Sequence, residues 1–407
     1  MSQNNLNIKI KPFGILDLLE FKNLVPKRRK KILDAPAATV KKEPAANALA
    51  SNLHPQNQFL VVSDVREETK ASKTYRLIAD KNSATTELAV FRPGQYLSFS
   101  FNIGGSSVTR PYSLSSSPGE AIKGYYEITV KENEGSFVSK HIFDTWENGS
   151  KVLASGPLGF FYHEKLRDSK HIIGLAGGCG ITPFRSMAKS IAEGSMNADL
   201  TLIYGSNAIE EIIFHNEFKE LEAASKGRIK VIHVISGENS GAYENGFITQ
   251  GLIKKHADPY NGSVFISGPQ IMYEFLQKEI KAIGLRKKYV RWETFGEVKS
   301  IDKAAGYPLE KIGEVHDIIV HMGGTTKSIK ASARESVLTA IERANMAPPS
   351  TCRSGICGFC RSLLVKGDVF IPEDEDGRRM ADKQFGYIHP CSSFPLTDLE
   401  IIVPRAK

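Results

Sequence analysis

Four cysteines constrain this chain more than any other feature. Cys352, Cys357 and Cys360 lie in Cys352-Arg353-Ser354-Gly355-Ile356-Cys357-Gly358-Phe359-Cys360, and Cys391 follows after 30 intervening residues. Thiolates are soft ligands suited to iron–sulfur and zinc centres, and C-x4-C-x2-C with one distant cysteine is a ligand spacing for a two-iron, two-sulfur cluster. A compact loop can offer three thiolates, while the fourth must arrive from elsewhere in the fold. Gly355 and Gly358 keep Cβ atoms out of the loop, so backbone N–H groups can turn toward sulfur. Zinc and unrelated thiols are the alternatives. Zinc ribbons usually pair two short knuckles of similar spacing, whereas Cys391 stands alone.

Around these cysteines, residues 314–403 resemble a plant-type ferredoxin domain. A strand at 315–321, a turn at Gly323-Gly324, a second strand near 326–331 and a helix at 336–344 precede the loop, and strands at 362–365 and 399–403 follow it. The resemblance implies a β-grasp fold with Cys352, Cys357, Cys360 and Cys391 all binding the cluster. Everything upstream then reads as a source of electrons.

Upstream, from Phe59, short strands alternate with turn residues at 59–62, 74–78, 96–101, 110–115, 125–130 and 151–154, the pattern of an antiparallel barrel. Within it lie Arg92-Pro93-Gly94-Gln95-Tyr96, Arg110-Pro111-Tyr112-Ser113-Leu114-Ser115-Ser116 and Gly135-Ser136-Phe137-Val138-Ser139. An arginine beside an aromatic and hydroxyls can bind a phosphate while the ring packs on a flat group; a strand with a surface arginine is the plainer reading. In this order the motifs resemble the flavin-binding half of the ferredoxin–NAD(P) reductase superfamily. The resemblance implies that Arg110 neutralises flavin phosphate, that Tyr112 and Ser113 touch the isoalloxazine, and that Gly135 with Ser139 closes over the pyrophosphate. Gly156-Pro157-Leu158-Gly159 looks like that family's end-of-barrel turn.

From about residue 164 strands and helices alternate, as in a parallel sheet. A buried strand at 171–176 leads into Gly177-Gly178-Cys179-Gly180-Ile181-Thr182-Pro183 and a helix running through Ile191. Thr182 can cap that helix, with Pro183 pre-set for its first position, and bare backbone at a helix start attracts phosphate. The strand at 200–204 ends in Gly205-Ser206-Asn207 with no acidic residue at its tip, unlike a Rossmann fingerprint. The glycine turn, the strand at 264–266 ending in Ser267-Gly268-Pro269, Met272, and Glu293-Thr294-Phe295-Gly296 resemble the superfamily's pyridine-nucleotide domain. Gly177, Gly178, Gly180, Gly268 and Pro269 are then nucleotide-binding, and Thr182 is nearest the nicotinamide. Many members carry cysteine where this chain has Ser267, so a hydroxyl lines the pocket instead. The candidate catalytic residues are thus Thr182, Ser267 and Tyr112. Residues 206–211 offer no Lys or Arg for a 2′-phosphate and add two acids, which favours NADH over NADPH. Cys179 reads as a small filler, and Phe214, Phe218 and Leu221 as core.

A chain of 407 residues exceeds what one core supports. The expected division is a basic extension and linker at 1–55, the flavin barrel at 56–163, the nucleotide domain at 164–299, a linker at 300–312 and the ferredoxin domain at 313–407, with the polar stretch 297–306 reading as a tether between the nucleotide and ferredoxin domains. The fold class is multidomain, α+β and α/β. Net charge is +8, yet residues 1–55 hold ten Lys/Arg against four Asp/Glu, so the remainder is near neutral and no nucleic-acid-binding body is expected. The apolar patch Ile15, Leu16, Leu18, Leu19, Phe21, Leu24 precedes Lys27-Arg28-Arg29-Lys30-Lys31. A short amphipathic helix followed by positive charge could dock on a partner or rest on an anionic membrane surface; a partly ordered extension with its charges in water is the plainer reading. Residues 35–55, rich in Ala, Pro and Asn, read as linker. No apolar run approaches the roughly 18 residues of a membrane span, residues 1–10 lack a signal-peptide core, and only Cys179 falls outside the ligand set. A cytoplasmic protein is expected.

Electron counting links these parts. A hydride delivers two electrons to flavin, which releases them singly to a one-electron cluster. The expected function is an NAD(P)H-dependent reductase that passes electrons from NADH through flavin, FAD in preference to FMN, and a 2Fe-2S cluster to an unidentified redox partner such as an oxygenase. The alternatives are the electron-transfer subunit of a dihydroorotate-dehydrogenase-like complex and a non-catalytic metal-binding interaction module.

Overall fold

The computed structural model of the chain describes residues 14–34, 44–132, 135–239, 241–293, 296–298 and 300–404. Residues Met1–Leu49 and Ala50–Lys407 are separate compact units. In the first, α1 (Ile15–Asp34) carries both the apolar patch and the basic block, so the positive charge lies inside the helix rather than after it. Part of the stretch read as linker is helical, α2 (Ala45–Leu53), with none of its residues buried. Ala45, Ala46, Ala48 and Ala50 are the strongest helix formers and need no packed face to favour this conformation. The rest of that stretch up to Glu43 lies outside the described residues, as do Thr294 and Phe295. Among the described residues no helix is long and apolar enough to cross a membrane.

In the second unit, β1 (Gln58–Thr69), β2 (Ser72–Ala79), β3 (Tyr96–Ile103), β4 (Ser106–Ser113), β5 (Tyr125–Lys131) and β6 (Lys151–Leu158) form one antiparallel sheet. Its order is β4-β3-β6-β1-β2-β5. The two edges meet just past β4, through the bridge Leu114–Ile128 and a 2.8 Å bond from the Ser115 N–H to the Glu127 carbonyl. The sheet therefore curls into a barrel without a full closing ladder. Alternate residues point inward, and Leu60, Val62, Leu77, Leu97, Phe99, Tyr126 and Ile128 fill the interior. Between β4 and β5 runs α3 (Pro118–Ile122), opened by a Ser117–Glu120 capping box; α4 (Phe137–Thr145) follows β5.

The next domain is a six-stranded parallel sheet. Its elements are β7 (His171–Gly177), α5 (Thr182–Ala192), β8 (Asp199–Ser206), α6 (His215–Ala224), β9 (Ile229–Ile235), β10 (Glu244–Asn245), α7 (Gln250–His256), β11 (Ser263–Ser267), α8 (Gln270–Ile283) and β12 (Val290–Trp292). The order β10-β9-β8-β7-β11-β12 means that the chain winds outward from β7, then returns to its other side. That reversal opens a crevice beyond the carboxyl ends of β7 and β11, where open parallel sheets bind ligands. Residues of β7 alternate between two cores, Ile172 and Ala176 facing one and Ile173 and Leu175 the other.

The last domain contains β13 (Val315–Met322), β14 (Thr325–Ser332), α9 (Val337–Arg343), β15 (Ser362–Lys366), β16 (Val369–Phe370), α10 (Met380–Gln384), β17 (Tyr387–Ile388), β18 (Phe394–Pro395) and β19 (Leu399–Val403). The main sheet runs β14-β13-β19-β15-β17, with β13 and β19 parallel at its centre and α9 packed against the same core. The expected polar tether is fastened down. Ile301 and Tyr307 are buried with Phe394, and the Tyr307 hydroxyl donates to the Ala333 carbonyl at 3.0 Å. Glu297 accepts hydrogen bonds from Ser336, Thr339 and Arg353.

Candidate functional site

The four cysteines come together at the end of the ferredoxin domain nearest the barrel. Cys360 and Cys391 lie with their sulfurs 3.4 Å apart, and Cys352 is hydrogen-bonded to Cys357. They thus form two pairs rather than one ring, and among the described residues no three His, Cys, Asp or Glu side chains converge on a single-ion position. A mononuclear zinc site would require that convergence; two irons, each taking one pair, fit this donor set. Backbone N–H groups point at the sulfurs, Gly355 to Cys391 at 3.2 Å and Cys357 to Cys352 at 3.4 Å. Gly355 and Gly358 adopt φ of +75° and +71°, and a Cβ on Gly355 would fall 2.4 Å from the Glu375 carbonyl oxygen. The hydrogen bond from Cys357, with help from the Ser354 and Cys357 backbones, lowers the Cys352 pKa.

Behind the loop, Arg353 is 1% exposed and held at φ +58°. Its guanidinium donates to Glu342 at 2.5 and 2.9 Å and to Glu297. A buried cation between two carboxylates fixes the loop to α9 and to the tether at once. Removing one member of such a cluster costs about 3–5 kcal/mol.

On the barrel, Arg110 faces this cluster but joins no salt bridge among the described residues. Its guanidinium donates to the neighbouring Thr109 carbonyl at 2.8 Å. Burial, and then the nearby Arg353 charge, lowers its pKa. A half-buried cation that joins no carboxylate in a salt bridge among the described residues is a seat for an anion such as a phosphate. Tyr112 is half-buried and packs edge-on to Phe99 at 6.0 Å. Gly135 has φ +73°, and the buried Ser139 hydroxyl in the first turn of α4 has no hydrogen-bond partner among the described residues. Ser136, at the start of that helix, makes no capping bond. An orphaned hydroxyl beside free helix N–H groups fits a diphosphate.

At the sheet reversal the glycines are required by close approach. A Cβ on Gly180 would lie 2.2 Å from the Ser267 carbonyl oxygen, and one on Gly177 would lie 2.4 Å from the Met272 sulfur. Gly178 has φ +50°. Thr182 does not cap α5. The 3-10 turn Gly178–Ile181 runs directly into the helix, so Thr182 is its first residue, bonded through its N–H to Cys179, and its hydroxyl donates to the same carbonyl at 3.1 Å. Pro269 precedes α8, and the Gly268 N–H is taken up by the Tyr273 hydroxyl at 3.1 Å. Cys179 donates to the Thr129 carbonyl, and burial pushes its thiol up to about 11, as suits a packing residue.

Ser113 of the barrel and Ser267 of the nucleotide domain meet on one carboxyl group that had been noted only as part of a motif. Both hydroxyls donate to Glu293, at 3.1 Å and 2.8 Å. Burial pushes that carboxyl up to about 8, against the lowering effect of the two hydrogen bonds. Its position just after β12, beside the strand ending in Ser267, was the available sequence signal; its 180-residue separation from Ser113 hid the contact. Arg185 secures the same domain junction, donating to Glu127 of β5 and Glu217 of α6 at 2.8 Å each.

Three family descriptions match in series. Residues 60–163 match the oxidoreductase FAD-binding domain, 175–278 the oxidoreductase NAD-binding domain and 320–396 the 2Fe-2S iron-sulfur cluster binding domain. The glycine betaine monooxygenase reductase subunit of Chromohalobacter salexigens is 27% identical over 351 residues, 83% of this chain and 93% of that protein. The 3-ketosteroid-9-alpha-monooxygenase ferredoxin reductase component of Mycolicibacterium smegmatis is 28% identical over 346 residues, 83% and 94% of the two chains. The solved phthalate dioxygenase reductase superposes with a TM-score of 0.60 at 22% identity, covering 86% of this chain and 98% of that one, and shares the fold. Fold and site define an NAD(P)H-dependent oxidoreductase using FAD, NAD and a 2Fe-2S cluster. The chain belongs to the ferredoxin–NAD(P) reductase superfamily, among the flavin reductases that carry a C-terminal 2Fe-2S ferredoxin domain. Neither the dihydroorotate-dehydrogenase-type subunit nor the non-catalytic module finds support in these matches.

Proposed function

We propose that this chain is the reductase component of an oxygenase system, oxidising NADH in the cytoplasm and delivering single electrons to a separate terminal oxygenase. When bound, flavin would supply the conversion of a two-electron hydride into single electrons, and the cluster would supply one-electron carriage. The chain's residues bind, orient and shield. Arg110 meets flavin phosphate, Gly135 and Ser139 close over the pyrophosphate, and Tyr112 and Ser113 line the isoalloxazine. Gly177, Gly178, Gly180, Gly268 and Pro269 shape the nucleotide crevice, with Thr182 beside the nicotinamide. Glu293 holds the hydroxyls of Ser113 and Ser267 at the junction of the two sites and keeps its own proton at neutral pH. Cys352, Cys357, Cys360 and Cys391 hold the two irons.

One observation carries this reading: the β3–β4 ribbon touches both other domains. Ser113 reaches Glu293 of the nucleotide domain, while Ser98 and Thr109 reach Thr351 and Ser350, just before the first cysteine. Residues of that ribbon would hold flavin within reach of both the nucleotide crevice and the cysteine loop. The oxygenase as acceptor is supported by the full-length relatives, whose names describe monooxygenase reductases. NADH is favoured because Glu210 and Glu211 stand beyond β8, where their nearby cations Lys70 and Lys131 are already paired with them. In the variant Cys391→Ser, NADH-dependent ferricyanide reduction, served by flavin, should persist while cytochrome c reduction, served by the cluster, is lost. Equal loss of both, or of neither, contradicts the proposed order.

A further inference from the structure

Barrel and cysteine loop also meet through a polar relay centred on Tyr96. This residue opens β3, pairs with Ser113 and Leu158 of the adjoining strands, and is 5% exposed. Its ring lies against Gly159, where a Cβ would fall 2.8 Å from ring carbon Cδ1, so only glycine leaves room for the ring there. Its hydroxyl is hydrogen-bonded to the Thr351 side chain. Ser98, two residues along β3, donates to the Thr351 carbonyl at 3.4 Å, and the Thr351 hydroxyl lies 3.1 Å from the sulfur of Cys357. A continuous chain of contacts thus runs from the strand beside Ser113 to a cluster-ligand sulfur.

We propose that Tyr96 and Thr351 are positioning residues for flavin-to-cluster electron transfer: the phenol fixes the Thr351 hydroxyl, which bonds the Cys357 sulfur and makes the Cys352/Cys357 half of the cluster easier to reduce. The inference rests on the function proposed above. A reduced cluster gains one negative charge, and hydrogen bonds to its sulfurs stabilise that charge and raise the reduction potential. The electrons balance simply. NADH becomes NAD⁺ as its hydride reduces the flavin by two electrons; these leave singly, each passing to the oxidised cluster and on to an oxidised acceptor, here cytochrome c, so one NADH reduces two cytochrome c molecules and releases one proton. No bond to the protein forms or breaks.

The test uses the full chain with flavin and cluster bound, as Tyr96→Phe, Thr351→Val and Thr351→Ser. EPR-monitored redox titration gives the cluster midpoint, and anaerobic stopped-flow absorbance separates flavin reduction by NADH from cluster reduction. Tyr96→Phe and Thr351→Val should each make the cluster about tenfold harder to reduce, a midpoint more negative by about 59 mV for a one-electron couple. Cluster reduction should slow, while flavin reduction by NADH changes less than twofold. Thr351→Ser, which keeps the hydroxyl, should match wild type. Should Thr351→Val lose its cluster while Thr351→Ser keeps it, the requirement for the hydroxyl stands; loss in both overturns the inference. Midpoints and cluster-reduction rates equal to wild type in both hydroxyl-deleting variants also overturn it. Failure of the underlying functional reading is distinct, because NADH would then not reduce the wild-type flavin at all.

Discussion

Glu293→Gln should stabilise the protein, and increasingly so as pH rises. Glutamine keeps an oxygen that accepts from one serine, offers the other an N–H in place of an acceptor, and cannot ionise. The wild-type carboxyl is raised by burial from 4.5 to about 8. A raised acid contributes its full stability below the unfolded pKa, loses it progressively as pH climbs from about 4.5 to about 8, and changes nothing further above that. At pH 7 the buried acid therefore costs the fold about 3 kcal/mol relative to acid conditions, at about 1.36 kcal/mol per pH unit. The assay is thermal melting of the flavin-loaded protein from pH 5 to pH 8.5, followed by the flavin fluorescence released as the barrel–nucleotide junction opens. The variant's advantage should be under about 1 kcal/mol at pH 5 and about 3 kcal/mol at pH 7, or roughly 6–12 °C for a unit of 150–250 residues. The same substitution should slow flavin reduction by NADH, because the amide holds Ser113 and Ser267 differently and has no acidic proton. A melting-temperature gap independent of pH, or a variant less stable at pH 8, refutes the placement of a neutral acid here.

Arg110→Gln should raise the flavin dissociation constant at least about tenfold, since a charge-assisted bond to phosphate contributes about 1.5–3 kcal/mol; fluorescence of the flavin released on dilution measures it. Gly180→Ala places a methyl 2.2 Å from the Ser267 carbonyl oxygen and must part β7 from β11. The KM for NADH should rise tenfold or more while the bound-flavin spectrum is kept. Arg353→Met leaves buried Glu342 and half-buried Glu297 without their cation, a loss of about 3–5 kcal/mol. The cluster's visible absorption should bleach at lower temperature than in wild type, with the flavin band the less affected.

Periodicity and spacing made most of the fold legible. Short strands set off by turn residues marked the barrel, the βα rhythm marked the parallel sheet, and the cysteine spacing marked the cluster loop, because burial in the first two and ligation in the third impose a local pattern. Local reasoning failed where a neighbour changed the backbone's options. Thr182 looked like a cap, yet the glycine turn coils as a 3-10 segment and supplies the hydrogen bond a cap would have made. Residues 300–312 looked like a linker because Ile301 and Tyr307 are too sparse to show a period, and only Phe394 explains their burial. The serine–glutamate–serine bridge and the Arg353 cluster join residues far apart in sequence, and no spacing rule anticipates such contacts.

The most direct measurement is anaerobic titration of the purified protein with NADH, followed by visible absorption and low-temperature EPR. Flavin absorbance should bleach and a reduced 2Fe-2S signal should grow, with uptake of about three electrons per chain, two on flavin and one on the cluster. Protein that holds flavin and iron but yields no EPR signal while its flavin bleaches would contradict the proposed electron path.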